Sequence, residues 1–159
     1  MLKFKFLLQS DTSILFKIYS DKEAMRFRGS KPMTSIEDAE HFIANQKQRE
    51  GTSLTIRRGV ELEESGELIG SVMFRYDDMK DGICEIGYSI GKQYWGKGFG
   101  TEIVKEILKT LQKEQRIHTA IAWSHKENIS SIKILERLGF TRTPQKESDV
   151  NDLFVKQLA

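Results

Sequence analysis

The segment Tyr94-Trp95-Gly96-Lys97-Gly98-Phe99-Gly100-Thr101 sets glycines at alternate positions between a strand-like run and a helix-like run. A turn of that composition presents backbone N–H groups, unobstructed by Cβ atoms, at the positive end of a helix, and this chemistry suits a phosphate or pyrophosphate. Two nucleotide readings fail on spacing. No glycine is followed by Lys-Ser or Lys-Thr as a P-loop requires, and Gly96-x-Gly98 leads to Thr101 where a dinucleotide fingerprint needs its last glycine. Taken alone, the turn equally suits a tight strand-to-helix connection. A second cluster lies downstream after one more strand-like run: Asn128-Ile129-Ser130-Ser131 leading into Leu135-Glu136-Arg137-Leu138-Gly139-Phe140. Metal chemistry finds little support, because His41, His118 and His125 lack ligand spacing. The single cysteine, Cys84, can form neither an internal disulfide nor a multi-cysteine site, and in an apolar strand it reads as a small hydrophobe.

The elements that must position these residues follow from periodicity. Leu2, Phe4 and Phe6 alternate with Lys3 and Lys5, the period of a half-buried strand. Ile14, Leu15, Ile18 and Tyr19 form a helical stripe, with Ser10 or Asp11 as its N-cap. A second helix opens at the capping-box spacing Thr34-x-x-Glu37, with Ile36, Ala39, Phe42 and Ile43 on one face. Strands are expected from Leu54-Thr55-Ile56, over Leu68–Phe74 after a turn at Glu64–Glu67, and over Ile83–Ile90 after the polar turn Asp77–Gly82. Their short turns imply antiparallel hairpins.

A third helix runs from about Gly98 to Glu114 on the stripe Ile103, Val104, Ile107, Leu108, Leu111. Then come a strand at His118–Trp123, a helix at Asn128–Leu138 with Ile129, Ile132 and Leu135 inward and Gly139 as a left-handed C-cap, and a last strand at Asp152–Leu158. One α+β domain over residues 1–159 is the expectation.

The composition is that of a globular chain: 159 residues, 38% hydrophobic and 30% charged, with 2 Pro and 12 Gly, which excludes collagenous, low-complexity and wholly disordered classes. A net charge of +2 gives no sign of a nucleic-acid binder. No stretch approaches the ~20 apolar residues of a membrane span, and the alternating N-terminus is no signal peptide, so we expect no membrane partner and a cytoplasmic location.

With these motifs in order, the chain resembles the GNAT-superfamily N-acetyltransferases, in the branch typified by ribosomal-protein N-terminal acetyltransferases (RimJ/RimL-like). The resemblance rests on Ser65-Gly66-Glu67-Leu68-Ile69-Gly70, Glu85-Ile86-Gly87-Tyr88, the glycine-rich turn through Glu102, Asn128-x-x-Ser131, and Leu135 to Phe140; Ile18-Tyr19-Ser20-Asp21 followed by Met25 also matches. It implies a mixed, mostly antiparallel sheet flanked by helices, with two parallel strands splayed apart to hold acetyl-CoA. Here those would be the strands ending at Ile90 and near Trp123. Two positions depart from the general pattern. Trp95 stands where Gln or Arg usually precedes the loop, as is common in this branch, and Leu135 replaces the tyrosine that many members use as an acid.

The family reaction is direct attack of a neutral amine on the thioester in a ternary complex, with no metal. The resemblance places Tyr88, Ser89, Ile90, Trp95, Lys97, Gly98, Phe99, Gly100, Thr101, Asn128 and Ser131 against the cofactor. Glu85 becomes the candidate base or substrate contact, with a cross-strand partner for Lys or Arg as its bland alternative. Ser131 becomes the candidate for protonating or binding the leaving sulfur, and Asn128 the pantetheine contact, unless it serves only as an N-cap. Of the cations Lys97, Lys126, Lys133 and Arg137, we favour Lys97 for the nucleotide phosphate.

Arg26, Glu85 and Trp123 are candidate acceptor contacts, and Arg26 and Arg28 in the first-helix loop Arg26-Phe27-Arg28-Gly29 would favour a carboxylate-bearing acceptor. The acceptor is expected to be a protein N-terminus or a small-molecule amine, and the protein a monomer or homodimer. A non-catalytic CoA-responsive module would keep the loop and ignore Glu85 and Ser131.

Overall fold

The computed structural model describes residues 1–28, 30–49, 54–78, 82–144 and 150–158. The first half of the chain forms β1 (Leu2–Lys5), α1 (Thr12–Ser20), α2 (Ile36–Arg49), β2 (Thr55–Leu62), β3 (Leu68–Asp78) and β4 (Ile83–Ile90). The second half forms α3 (Phe99–Gln112), β5 (Thr119–His125), α4 (Ile129–Arg137), β6 (Thr141–Thr143) and β7 (Asn151–Gln157). The strands make one sheet in the order β1-β2-β3-β4-β5-β7-β6, and every neighbouring pair is antiparallel except β4 and β5. Of the expected polar turn, residues 79–81 lie outside the described residues, as does Gly29 of the first-helix loop.

Each face of the sheet carries a core. One joins Val72, Phe74, Cys84 and Ile86 to α3 and α4; the other joins Leu15, Ile18, Tyr19, Ala39 and Ile43 of α1 and α2 to Leu68. An irregularity in β3 serves both. Val60 pairs with Gly70 and Glu61 with Leu68, so Ile69 is an extra residue, and Leu68 faces one core while Ile69 faces the other. Strand periodicity alone does not announce such a bulge.

The stripe Ile103, Val104, Ile107, Leu108 and Leu111 of α3 is wholly buried, as its spacing predicts. Burial of each side chain is worth about 1.5–3 kcal/mol, which outweighs the tenths by which β-branched residues disfavour a helix. At the end of α4, Gly139 takes φ +95°, with its N–H on the Glu136 carbonyl and the Phe140 N–H on that of Leu135. The expected left-handed cap is therefore a full Schellman motif, closed by the buried pair Leu135 and Phe140.

Four local expectations need correction. Asp11 is the N-cap residue of α1, as expected, but its side chain makes no capping bond; its carboxylate accepts from the Leu8 N–H and the Lys5 ammonium, and a short 3-10 turn, Gln9–Asp11, leads into the helix. The capping box of α2 is shifted one residue: the helix starts at Ile36, so Ser35 Oγ accepts from the Asp38 N–H, and Asp38 accepts from the N–H groups of Ser35 and Thr34. Those backbone hydrogen bonds, chiefly that from Thr34, hold the Asp38 carboxyl below its usual value. Ile129 is not inward but 55% exposed, because it is the first residue of its helix. Phe6 lies beyond β1 and is exposed, with the Arg58 guanidinium over its ring.

Candidate active site

Strands β4 and β5 pair in register from Ile83–Thr119 to Ile86–Ala122 and then part. Beyond that point the chain of β4 runs on through Gly87–Ile90 and that of β5 through Trp123–His125, leaving a gap between the two parallel strands that the resemblance implies. Close packing on the other side accompanies the divergence: a Cβ on Gly70 would stand 2.0 Å from the Ser89 carbonyl oxygen, so β4 leans onto β3 at this height. The gap opens into a cleft of about 800 Å³ that reaches both faces of the sheet.

On the α3–α4 face the cleft meets the glycine-rich turn. Gly96 and Gly98 adopt φ +74° and +84° with open space around them, so backbone conformation rather than crowding calls for glycine. Gly100 answers a different demand, since a Cβ there would come within 2.7 Å of Ile134 Cδ1, and that side chain would have to shift. Gly98 is the N-cap of α3, and no side chain caps the helix. The first N–H groups of this 14-residue helix therefore face the cleft with the positive end of its dipole, a place for an anion. Trp95 donates its indole N–H to the Ile90 carbonyl at 3.0 Å, tying the turn to the end of β4.

Tyr88 and Ser131 meet on the same face, their hydroxyls 2.9 Å apart across the gap from β4 to α4. Burial raises the Tyr88 pKa, so its phenol stays protonated. Asn128 caps α4, its Oδ1 accepting from the Ser131 N–H at 3.3 Å, which fixes Ser131 in the first helical turn.

The α1–α2 face presents the alternate residues of β4. Glu85 lies opposite Arg75 of β3 and forms an ion pair with it at 3.5 Å. Ser89 turns its hydroxyl to this side and accepts a hydrogen bond from Arg28. Trp123 and His125 of β5 border the cleft, with the His125 ring 4.9 Å from that of Phe27.

The cleft is lined by the candidate residues Arg26, Glu85, Tyr88, Ser89, Ile90 and Trp95, by Gly98, Phe99, Gly100 and Thr101, and by Trp123, Asn128 and Ser131. Lys97 is the exception: it is exposed and does not line it. Of the four cations considered for the nucleotide phosphate, Lys133 and Arg137 of α4 do line it. Their signal was in the sequence as a second helical stripe, Ser130, Lys133, Ile134, Arg137, running beside the buried one of Ile132 and Leu135. Cys84 is fully buried under the site and its thiol is pushed up to about 12 by burial, an inert small hydrophobe as expected. Among the described residues no cluster of His, Cys, Asp and Glu could hold a metal ion, and no helix is long and apolar enough to cross a membrane.

Comparison with known proteins agrees with this geometry. A family model described as an acetyltransferase (GNAT) domain matches residues 2–141. The chain is 31% identical to the uncharacterised N-acetyltransferase p20 of Bacillus licheniformis over 144 residues, 89% of this chain and 78% of that one. In fold it is similar to spermidine N-acetyltransferase from Vibrio cholerae, solved with CoA and spermine, at a TM-score of 0.83 and 16% identity over 99% of this chain and 95% of that one. It is similar also to RimL, a ribosomal L7/L12 α-N-protein acetyltransferase solved with coenzyme A, at a TM-score of 0.84 and 13% identity over 99% and 94% of the two chains.

Proposed function

As a member of the acetyltransferase (GNAT) domain family, the chain is an acetyl-CoA-dependent N-acetyltransferase, and we propose that it acetylates a primary α-amine, a protein N-terminus foremost, in a ternary complex. The observation that carries this reading is the gap beyond Ile86 and Ala122 with the uncapped N-terminus of α3 at its mouth. A pyrophosphate fits the N–H groups of Phe99, Gly100 and Thr101, with Lys133 and Arg137 available to the remaining phosphate charge. An extended pantetheine arm fits the backbone of Gly87–Ile90, which β5 leaves unpaired, as an added strand.

The two faces then divide the work. Acetyl-CoA supplies a thioester carbonyl in the gap. Glu85, on the α1–α2 face, takes the proton that the amine loses as its nitrogen bonds to the carbonyl carbon, directly or through a water. Ser131, on the α3–α4 face and held by Tyr88, hydrogen-bonds the sulfur as the C–S bond breaks and passes it a proton. An α-amine suits so sparse a set of groups. With a pKa near 8 it is about 10% neutral at pH 7, whereas a lysine side chain is neutral well under ~0.1% of the time.

The test is a calorimetric titration of acetyl-CoA into protein freed of co-purified CoA, with ATP as control. Micromolar binding of acetyl-CoA without ATP competition is expected, followed by thiol release when peptide N-termini are supplied. A folded sample that binds no acetyl-CoA overturns the reading.

A further inference from the structure

The acceptor face of the cleft carries acids and bases in unequal condition. Both acids that line it are already matched: Glu85 with Arg75, and Glu23 with Lys92. Arg26 and Arg28 also line it, and neither has an ion-pair partner among the described residues. Arg28 is the better placed. It is half-buried, its guanidinium lies over the Tyr19 ring at 4.8 Å, and it donates to Ser89 Oγ. Tyr19 is itself buried and bonded through its hydroxyl to Ser71 of β3. Neutral partners, Tyr19 with Ser71 behind it on one side and Ser89 on the other, thus fix a cation that has no counter-ion among the described residues. The planar fork of guanidinium donors matches the paired oxygens of a carboxylate, as it does those of a phosphate.

We propose, resting on the acetyltransferase reading above, that Arg28 with Arg26 binds a carboxylate borne by the acceptor itself, so that the enzyme selects amines with a carboxylate a few bonds from the nitrogen. Spacing supports this. Ser89 lies two residues along β4 from Gly87, where the gap begins, roughly 6–7 Å at strand rise. One hydrogen bond of about 2.9 Å plus the short reach from an amine to a carboxylate on the same or the next carbon covers that span. A polyamine offers only cations to this face, and Arg26 and Arg28 repel it. Two sources share the chemistry: a free α-amino acid, and a peptide whose N-terminal residue has an acidic side chain.

The experiment measures thiol release at saturating acetyl-CoA for matched pairs, with spermidine alongside. Alanine against alaninamide tests the free α-carboxylate; the peptide amides Asp-Ala-Ala and Asn-Ala-Ala test the side-chain one. The readout is the R28Q to wild-type ratio of kcat/KM for each amine, in which differences in amine pKa cancel. For the carboxylate member of at least one pair R28Q should lose roughly 10- to 100-fold, the value of a charged hydrogen bond. Its uncharged partner should be nearly unaffected and the acetyl-CoA Kd unchanged, while R28K should recover part of the loss. Equal losses within both pairs, or wild-type preference for spermidine over every carboxylate-bearing amine, would overturn the inference. So would acetyl-CoA binding with no amine of the panel acetylated, whereas absence of acetyl-CoA binding strikes the underlying reading instead.

Discussion

Replacing Glu85 by glutamine keeps the volume of the side chain and its place beside Arg75 while removing the proton acceptor. General-base assistance is worth about 10²–10⁴-fold, so E85Q should lower kcat/KM by at least roughly 10² near neutrality and leave the acetyl-CoA Kd alone. A pH–rate profile checks this, because the loss should shrink as alkaline pH deprotonates the amine without help. Full activity at every pH would reduce Glu85 to the cross-strand partner that its contact with Arg75 already makes it. The candidate base was legible in the sequence because it sits inside a matched motif, but its partner was not. Arg75 meets Glu85 only through the register of β3 against β4, which no local pattern states. Lys97 shows the converse. It stands within the glycine-rich turn proposed to hold a pyrophosphate, between two left-handed glycines, yet it is exposed and does not line the cleft. The cations that line the cleft beside that turn come from α4, where their helical spacing was visible and their facing direction was not.

Helix α4 combines a structural and a chemical duty at one residue. Asn128→Ala should cost about 1 kcal/mol in urea-unfolding free energy, the usual worth of an N-cap, and should loosen Ser131. Asn128→Asp keeps a capping oxygen and should restore the stability. If the amide also contacts the cofactor, the acetyl-CoA KM of Asn128→Asp stays raised; recovery of both quantities would assign the residue to capping alone. Most elements were legible because their apolar positions recur at 3.6 or 2 residues, as in α3. Those that escaped lack that pattern. Strand β6 has three residues, Thr141, Arg142 and Thr143, all exposed, so it shows no alternation and exists only by pairing with β7. The α2 box escaped by one residue because Asp38 does the work expected of Glu37, and two carboxylates in succession leave the frame open until the helix start is known.

Across the whole molecule, the core beneath the active site makes stability sensitive to alkali. Burial pushes the Cys84 thiol from 9.0 up to about 12, and it also raises Tyr76 and Tyr88. Below pH 9 the thiol is neutral in both native and unfolded chains and contributes no pH dependence. Between 9 and 12 the unfolded chain releases a proton that the native chain retains, so stability falls with rising pH, by up to about 1.4 kcal/mol per pH unit from this group. Urea titrations across that range should show the decline, and Cys84→Ala should make it shallower; an unchanged slope would mean that the thiol is not held neutral. That a cysteine in this strand would be buried was readable from its apolar neighbours, whereas the parting of β4 from β5 came only through family likeness, since composition does not record where pairing stops. The parting has a mechanical side. Two arms of sheet diverge from Ile86 and Ala122, one leading on toward α3 and the other toward α4. On the proposed reading, a donor lodged between the arms would supply, with its acyl end, the floor on which an incoming amine stands. If one face is shaped by what occupies the other, initial-rate kinetics should show an order of arrival, acyl donor first and acceptor second, and binding of the amine to protein free of acetyl-CoA would refute it.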